Sequence, residues 1–593
     1  MKKILKLFIM TFLLFTTISC DDLFNSNIES SSSNNSEIED SSMDSSTIDE
    51  SNSINTSSST SEEKVYQKDE EGFYVLEDDY FKNDAIKDEK RISKLKYSDD
   101  IPSEYVYSQM RLFAADKQIP LINCKTNMSQ VWNGLAPSRM NNAVAIVALE
   151  GKMTFKLQCN FAILDECIIR PLAANITPKI DEDRRVIEFE ISSAGQYTIE
   201  LRSKRTLHFF VNDYYEFEEY KDDSNLIYFG PGVHNKNNNK YINSYNKIDV
   251  PSNCTVFVDY GAIVQGALFA HNKSNIKVVG GGIIDGSVFT RDANNNIQTI
   301  PYEFNYCTNL LFKGIVTTDP AGWCYNLYFC NEVELDNIKI ISSRSNGDGV
   351  SVQSCQNVEC KNSFVRSWDD SLVVKNYPHW SNRNNQGTTK NVSFENCILW
   401  TDLAQSMEIG FETVGKVMED ITFNNITILH NYHKAPISIH NGNNANLKRV
   451  KFTNITIEDA AMGGGDGNKY LIDISCAYSS TWSDKQATTE LGSVDDVLIS
   501  NVLVHKIIDN YVVSIVGSVD PRVQYGNSTH YVSNVKVEDI MINDNLFTKD
   551  YENYQTKYSK NVTIENTGKE VTGANIPYTN SSEYGSNYQI EVI

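Results

Sequence analysis

A seven-residue pattern of the form x-apolar-x-apolar-x-Asn-apolar occurs ten times in this chain, starting at residues 275, 309, 332, 357, 391, 420, 449, 496, 534 and 561. The sixth position is asparagine in seven copies, Asn337, Asn362, Asn396, Asn425, Asn454, Asn501 and Asn566, and Gly280, Gly314 or Asp539 in the others. Asn, Gly and Asp tolerate left-handed backbone at a bend, and asparagine amides stacked in register hydrogen-bond from one repeat to the next. The apolar residues alternate with period two and β-branched residues are abundant, which disfavours helical repeats. Such a repeat buries its apolar side chains only against neighbours above and below, and the pattern therefore predicts a right-handed parallel β-helix over residues 221–593.

Cysteines give an independent register. Cys307, Cys330 and Cys355 each stand two residues ahead of a repeat, so they stack in one column, as buried thiols packing like small hydrophobes. No C-x-x-C pair occurs among the 12 cysteines, and neither a metal site nor a cofactor is expected. In this register "GWCYNLYFC", "GDGVSVQSC", "WDDSLVVKN", "AQSMEIGF" and "KAPISIHN" are one strand in five successive coils. Trp323, Asp348, Asp370, Gln405 and Ala435 then form a column just before the strand. Asn326, Ser351, Val373, Glu408 and Ser438 form a second column, and Tyr328, Gln353, Lys375, Gly410 and His440 a third; the last two alternate with apolar positions and are expected to face outward.

Asp348 and Asp370 are thereby neighbours at about the 4.8 Å spacing of adjacent strands, with Asp369 beside them at the bend. Like charges this close raise carboxyl pKa values, which lets one carboxylic acid stay protonated beside another that acts as a base. Cleavage of a glycosidic bond uses such a pair. Trp368 and Trp323 offer flat faces for sugar C–H surfaces, ahead of Trp380 and Trp400. Glu408 faces the aspartates, whereas Glu412 reads as structural. His430, His433 and His440 lack the carboxylate pattern of a metal site.

Ahead of the repeats, residues 65–220 carry short alternating strands such as "AVAIVAL", "RRVIEFEIS" and "TLHFFVN" between Gly, Pro and Asn/Asp turns, the pattern of a β-sandwich. The chain is therefore expected to be all-β. Residues 1–20 have the lysine-rich start, apolar run and small residues of an export signal, and "TISC" resembles the lipobox of bacterial lipoproteins, with Cys20 as the lipidated residue. Residues 21–64 follow, with 15 serines among the 32 positions 30–61, a composition that does not order itself and behaves as a tether. The expected location is extracellular, anchored to the bacterial membrane through lipid on Cys20. A net charge of −24 repels phosphate, so no nucleic-acid partner is expected.

The stretches "YFGPGVH", "VFVDYGAIVQGAL", "VVGGGIIDGS", "NGDGV" and "DDSLVVK" together resemble the β-helical glycoside hydrolases of family 28, the polygalacturonases, and the related family 49 of dextranases and isopullulanase, over residues 225–460. The resemblance implies that Asp369 is the general acid, that Asp348 and Asp370 hold and activate water for displacement with inversion, and that Asn346 opens the first motif. It also implies a polysaccharide or oligosaccharide substrate; Asn346 is expected to contact it by the motif, and Trp323, Trp368, Lys375, Gln405, Glu408 and His440 by their positions beside the aspartates. The chain departs from the polygalacturonases where their Gly-His-Gly falls on "AQS", residues 404–406, and where their Arg-Ile-Lys falls on Ser438, Ile439 and His440. An arginine and a lysine suit a uronate carboxylate, so a neutral sugar is expected instead. The alternatives are a polygalacturonase or polysaccharide lyase, and a non-catalytic carbohydrate-binding surface protein or adhesin.

Overall fold

A computed structural model describes residues 66–77, 79–82, 91–128, 138–290, 299–378, 387–464, 467–483, 490–522, 528–575, 584 and 587–593. The expectations for the export signal, Cys20, the tether and Trp380 fall outside the described residues.

The repeats wind into a parallel β-helix. Each middle coil has three short strands, as in Asn331–Asp336, Lys339–Ile341 and Val350–Gln353, and each pairs in parallel with its counterparts one coil away. The third face is an 11-stranded sheet in strict sequence order from Lys247–Asp249 to Tyr554–Lys557. Alternate side chains, among them Val333, Leu335, Ile340, Val350 and Val352, meet in one continuous core along the axis.

The sixth-position residues, all but Asn566, turn the chain left-handed from the first face into the second: Asn337 has φ 56°, Asn362 52° and Asn454 55°. The first position of the pattern is left-handed as well, at Asn275, Asn309, Glu332, Asn357, Asn391, Asp420, Arg449, Asp496, Asn534 and Asn561, a requirement the sequence reading did not assign. Amide ladders run up both columns. Asn309 Nδ2 donates to Asn275 Oδ1 at 2.8 Å and Asn391 Nδ2 to Asn357 Oδ1 at 2.9 Å. In the other column Asn501 Nδ2 donates to Asn454 Oδ1 at 2.8 Å. The cysteine column forms too, with Cys330 N donating to Cys355 Sγ at 3.2 Å and the thiols free.

Two sheets precede the coil and pack face to face around Leu95, Leu112, Phe155, Phe189 and Phe209. Asn587–Val592 returns to pair in parallel with Ile92–Tyr97, so one late strand completes the first sheet. The outer face of that sheet, through Ile122, Cys124, Val144 and Phe210, covers a column on the second face of the coil made of Ile263, Ile283, Val316, Ile341, Phe364 and Ile398. Ion pairs stitch the two: buried Arg170 Nη1 lies 2.6 Å from Glu458 Oε2, and half-buried Arg139 Nη1 lies 2.5 Å from Asp319 Oδ1. With the second face covered, the bends leading from it to the third face run beside the sandwich edge. The aspartates occupy those bends.

Candidate active site

Four successive bends stack as the cysteine register requires. Cys324 N donates to Asp348 O at 2.9 Å, Gly349 N to Asp370 O at 2.8 Å, and Ser371 N to Gln405 O at 3.0 Å. A Cβ at Gly349 would lie 2.4 Å from Ser371 O, so only glycine lets these bends approach. Hydroxyls fix the double-aspartate bend. Ser367 Oγ donates to Asp369 O at 2.6 Å and also contacts Ser371 Oγ at 2.7 Å; Thr401 Oγ1 lies 2.7 Å from both Ser371 Oγ and Ser406 Oγ. A hydroxyl donates once, so with Ser367 committed to the carbonyl the chain runs in one direction, from Ser406 through Thr401 and Ser371 to Ser367.

Within this frame the three aspartates differ. Asp348 and Asp370 are buried at 2% and 8% exposure, whereas Asp369 is only half-buried. Asp370 N donates to Asp369 Oδ1 at 3.0 Å, and Gln405 N donates to Asp370 Oδ1 at 3.2 Å. Burial, then the Asp369 charge, push the Asp370 carboxyl up to about 7, against the opposing pull of Lys375. The same causes, burial first, raise Asp348 well above the usual carboxylate range. Like-charge repulsion was legible in the sequence; the larger contribution of burial was not.

Lys375 sits among the carboxylates, its Nζ 3.7 Å from Asp348 Oδ2, 3.9 Å from Asp370 Oδ2 and 3.7 Å from Glu412 Oε2. Burial favours the neutral amine, but Glu412, Asp348 and Asp370 outweigh it and hold the ammonium well above its ordinary pKa. Trp323, 9% exposed, flanks this ammonium with its ring centroid 5.1 Å from Nζ. Glu412 was read as structural. It reaches Lys375 because register shifts between the strands: Val374 pairs with Ile409 but Asn376 pairs with Thr413, so two extra residues bulge out at Gly410–Glu412. Gly410 takes φ 127° there, where a Cβ would lie 2.0 Å from His440 O. No period-two pattern announces such a bulge.

The next coil carries a second charged group. His440 Nδ1 is 2.8 Å from Glu408 Oε1 and its Nε2 is 3.0 Å from Asp473 Oδ2, with the ring stacked on Phe411 at 4.2 Å. Burial alone would lower the imidazolium pKa; the flanking Glu408 and Asp473 lift it to about 10. Ser438 Oγ also donates to Glu408, which is 1% exposed. Asp473 was not foreseen, because its strand starts beyond the stretch aligned on the cysteines.

Two expectations need correction. The columns containing Asn326, Ser351, Glu408 and His440 do point away from the coil's core, yet they are buried, because neighbouring polar side chains and bend segments pack over them. Trp368 is 0% exposed and presents no face to a ligand. Trp400 is buried at the interface, 3.9 Å from the Arg366 guanidinium, and His430 bonds Glu200 at 2.7 Å there. Asn346, half-buried at φ 51°, stands in the bend before Asp348. Among the described residues no three His, Cys, Asp or Glu side chains are gathered as metal ligands would be.

The sequence model described as "Glycosyl hydrolases family 28" matches residues 263–515, a span that holds all three aspartates, Lys375, Glu408 and His440. No curated protein matches the chain in sequence. In fold it is similar to Dex49A from Penicillium minioluteum, at 12% identity and TM-score 0.51, covering 78% of this chain and 95% of that one. It is also similar to an exopolygalacturonase from Thermotoga maritima (12% identity, TM-score 0.37, 60% and 86% covered) and to a polygalacturonase from Erwinia carotovora ssp. carotovora (15%, 0.37, 57% and 96%). The fold is thus that of a parallel β-helix, and the match to the family 28 model falls on the coils that carry the site.

Proposed function

We propose that the protein hydrolyses O-glycosidic bonds of a neutral polysaccharide or oligosaccharide by single displacement with inversion. The observation that carries this reading is the division of labour among the groups in the bend: the bases are all carboxylates, and both cations are already paired. Lys375 and His440 are held charged by the carboxylates around them, so neither supplies the neutral amine or imidazole that proton abstraction by a lyase would require. The same pairing leaves neither cation to a uronate carboxylate, which favours a neutral sugar.

In this reading Asp369, the most exposed of the three, protonates the leaving oxygen. Asp348 and Asp370 hold water and accept its proton in their ionised form, and the Lys375 charge opposes the rise of their pKa values. Asn346 and Trp323 border the space where the sugar lies, while Gln405 and Glu408, buried at 6% and 1% exposure, act through Asp370 and His440, which they touch. The test is hydrolysis of a panel of neutral and acidic polysaccharides with the product anomer read by NMR. Inverted product from a neutral polymer is expected; retained configuration or unsaturated products would refute the mechanism. Asp369→Asn should reduce turnover by at least 10²-fold, the scale of general-acid catalysis. We further propose that Cys20 is lipidated and tethers the enzyme outside the cell; metabolic labelling with a fatty acid should mark the chain and fail to mark Cys20→Ala.

A further inference from the structure

A second cleft, of about 520 Å³, lies where the first coils meet the sandwich edge. Two tyrosine rings in its lining stand half out of the protein, Tyr215 at 54% and Tyr228 at 46% exposure. Their hydroxyls do not need that exposure. Tyr228 Oη donates to Asp259 Oδ2 at 2.8 Å, and Lys94 Nζ donates to Tyr215 Oη at 2.7 Å. Phe257 backs the Tyr228 ring, with centroids 5.9 Å apart and planes at 27°. The Lys94 ammonium lies 5.3 Å from the Tyr215 ring centroid, so each ring is fixed from one side and at its hydroxyl while it remains half-exposed; such rings are preorganised apolar planes, and a ligand that lies on them loses little ordering free energy to the protein side.

The rest of the lining is a charge-balanced set of donors and acceptors. Lys96 Nζ lies 3.1 Å from Glu218 Oε1 and 3.6 Å from Glu591 Oε2, and Lys221 Nζ lies 3.4 Å from Glu218 Oε1. With Asp259 this makes two cations against three carboxylates, so a strongly charged ligand gains little. A pyranose matches both features, because its C–H face covers an aromatic plane while vicinal hydroxyls bridge a carboxylate and an ammonium.

We propose that this cleft is a second glycan-binding site, which holds a neutral stretch of polysaccharide on Tyr215 and Tyr228. It is distinct from the aspartate bends. Tyr228 lies in the first strand of the coil, Leu226–Phe229, and Asp348 follows the strand four coils further on, Asn331–Asp336, about 19 Å along the axis. A polymer engaged at both places is retained by effective concentration even where each contact is weak. The proposal rests on the glycan-active reading of the protein, and its test is separate from turnover.

The experiment is affinity electrophoresis of the full chain carrying Asp369→Asn, so that polymer is not consumed, in gels containing dextran, pullulan, galactan or xyloglucan. Retardation in at least one gel is expected, with Tyr215→Ala plus Tyr228→Ala weakening the apparent affinity fivefold or more. Tyr215→Ala alone, at an exposed position that leaves the fold intact, should shift it in the same direction. No retardation by any of the four polymers, or retardation that both Tyr variants leave unchanged, overturns the site. Failure of the hydrolase reading shows elsewhere, as no reducing ends released by the unsubstituted protein while retardation persists.

Discussion

Replacing Asp370 by asparagine should make the protein more stable while it removes a proposed catalytic group, and the gain should depend on pH. Asp370 is buried and its carboxyl is raised from 3.8 to about 7, chiefly by burial and then by the Asp369 charge. Between those values the folded chain binds more protons than the unfolded one, so stability falls as pH rises through the window. A displacement of about three pH units corresponds to about 4 kcal/mol at full ionisation. Asparagine keeps the oxygen that accepts from Gln405 N and removes the charge. The difference between Asp370→Asn and the parent should therefore be near zero below pH 4 and grow to its full size by pH 8. A chain of this length has an unfolding entropy of about 1 kcal/mol/K, so the gain should read as about 3–4 °C in Tm. Thermal melts of both proteins at pH 4, 6 and 8 measure it. A variant that melts below the parent at pH 8, or a gain that is the same at all three values, would refute the account of Asp370 as a strained carboxyl held for chemistry.

Lys375→Met removes the cation shared by Asp348, Asp370 and Glu412; an opposite charge at this range is worth about 1–3 pH units, so the acidic limb of kcat/KM should move up by about one unit or more. An unmoved limb would exclude Lys375 from tuning the aspartates. His440→Leu strands Glu408 without its imidazolium partner and should destabilise the protein at pH 7 by about 3–5 kcal/mol. Adding Glu408→Leu should recover most of that, and a double variant no better than the single one would show that the pair is not coupled. In the ladder, Asn454→Ala loses amide bonds and leaves alanine in left-handed backbone, whereas Asn454→Gly loses only the bonds; denaturant melts should find the glycine variant milder by about 1–2 kcal/mol, and equal effects would mean that φ at this position does not matter.

Much of this fold was legible because its determinants are periodic. Asn337 through Asn566 mark one bend per coil, and Cys307, Cys330 and Cys355 fixed the register well enough to set Asp348 beside Asp370 and Glu408 beside Ser438, as the strand pairing has them. What escaped is non-periodic. Glu412 depends on a bulge of two residues, Asp473 on a long insertion before its strand, and the return of Asn587–Val592 to the first sheet on a contact across most of the chain. Exposure escaped for another reason. Alternation says which side chains leave the core, but not that further chain covers them, so Trp368 read as a sugar platform although it is buried.

The replacements at Gln405, Ser438 and His440 act together when charge is followed rather than residue identity. A site for an acidic sugar presents cations and leaves their partner to the substrate. Here the partner is built in: Glu408 receives Ser438 and His440, Asp473 takes the other side of the ring, and Glu412 joins the two aspartates around Lys375. A uronate entering such a site would have to displace a buried internal carboxylate from its hydrogen bonds, and the displaced group would lose several kcal/mol of solvation without compensation. A neutral pyranose displaces nothing, since its hydroxyls both donate to carboxylates and accept from ammonium or amide groups. On the proposed reading, carboxylates outnumber cations around the bends, six (Asp348, Asp369, Asp370, Glu408, Glu412 and Asp473) against two (Lys375 and His440), which repels an acidic sugar, and the substitution that should ease its entry is Glu408→Gln, which frees His440 on one side while leaving the three aspartates in place.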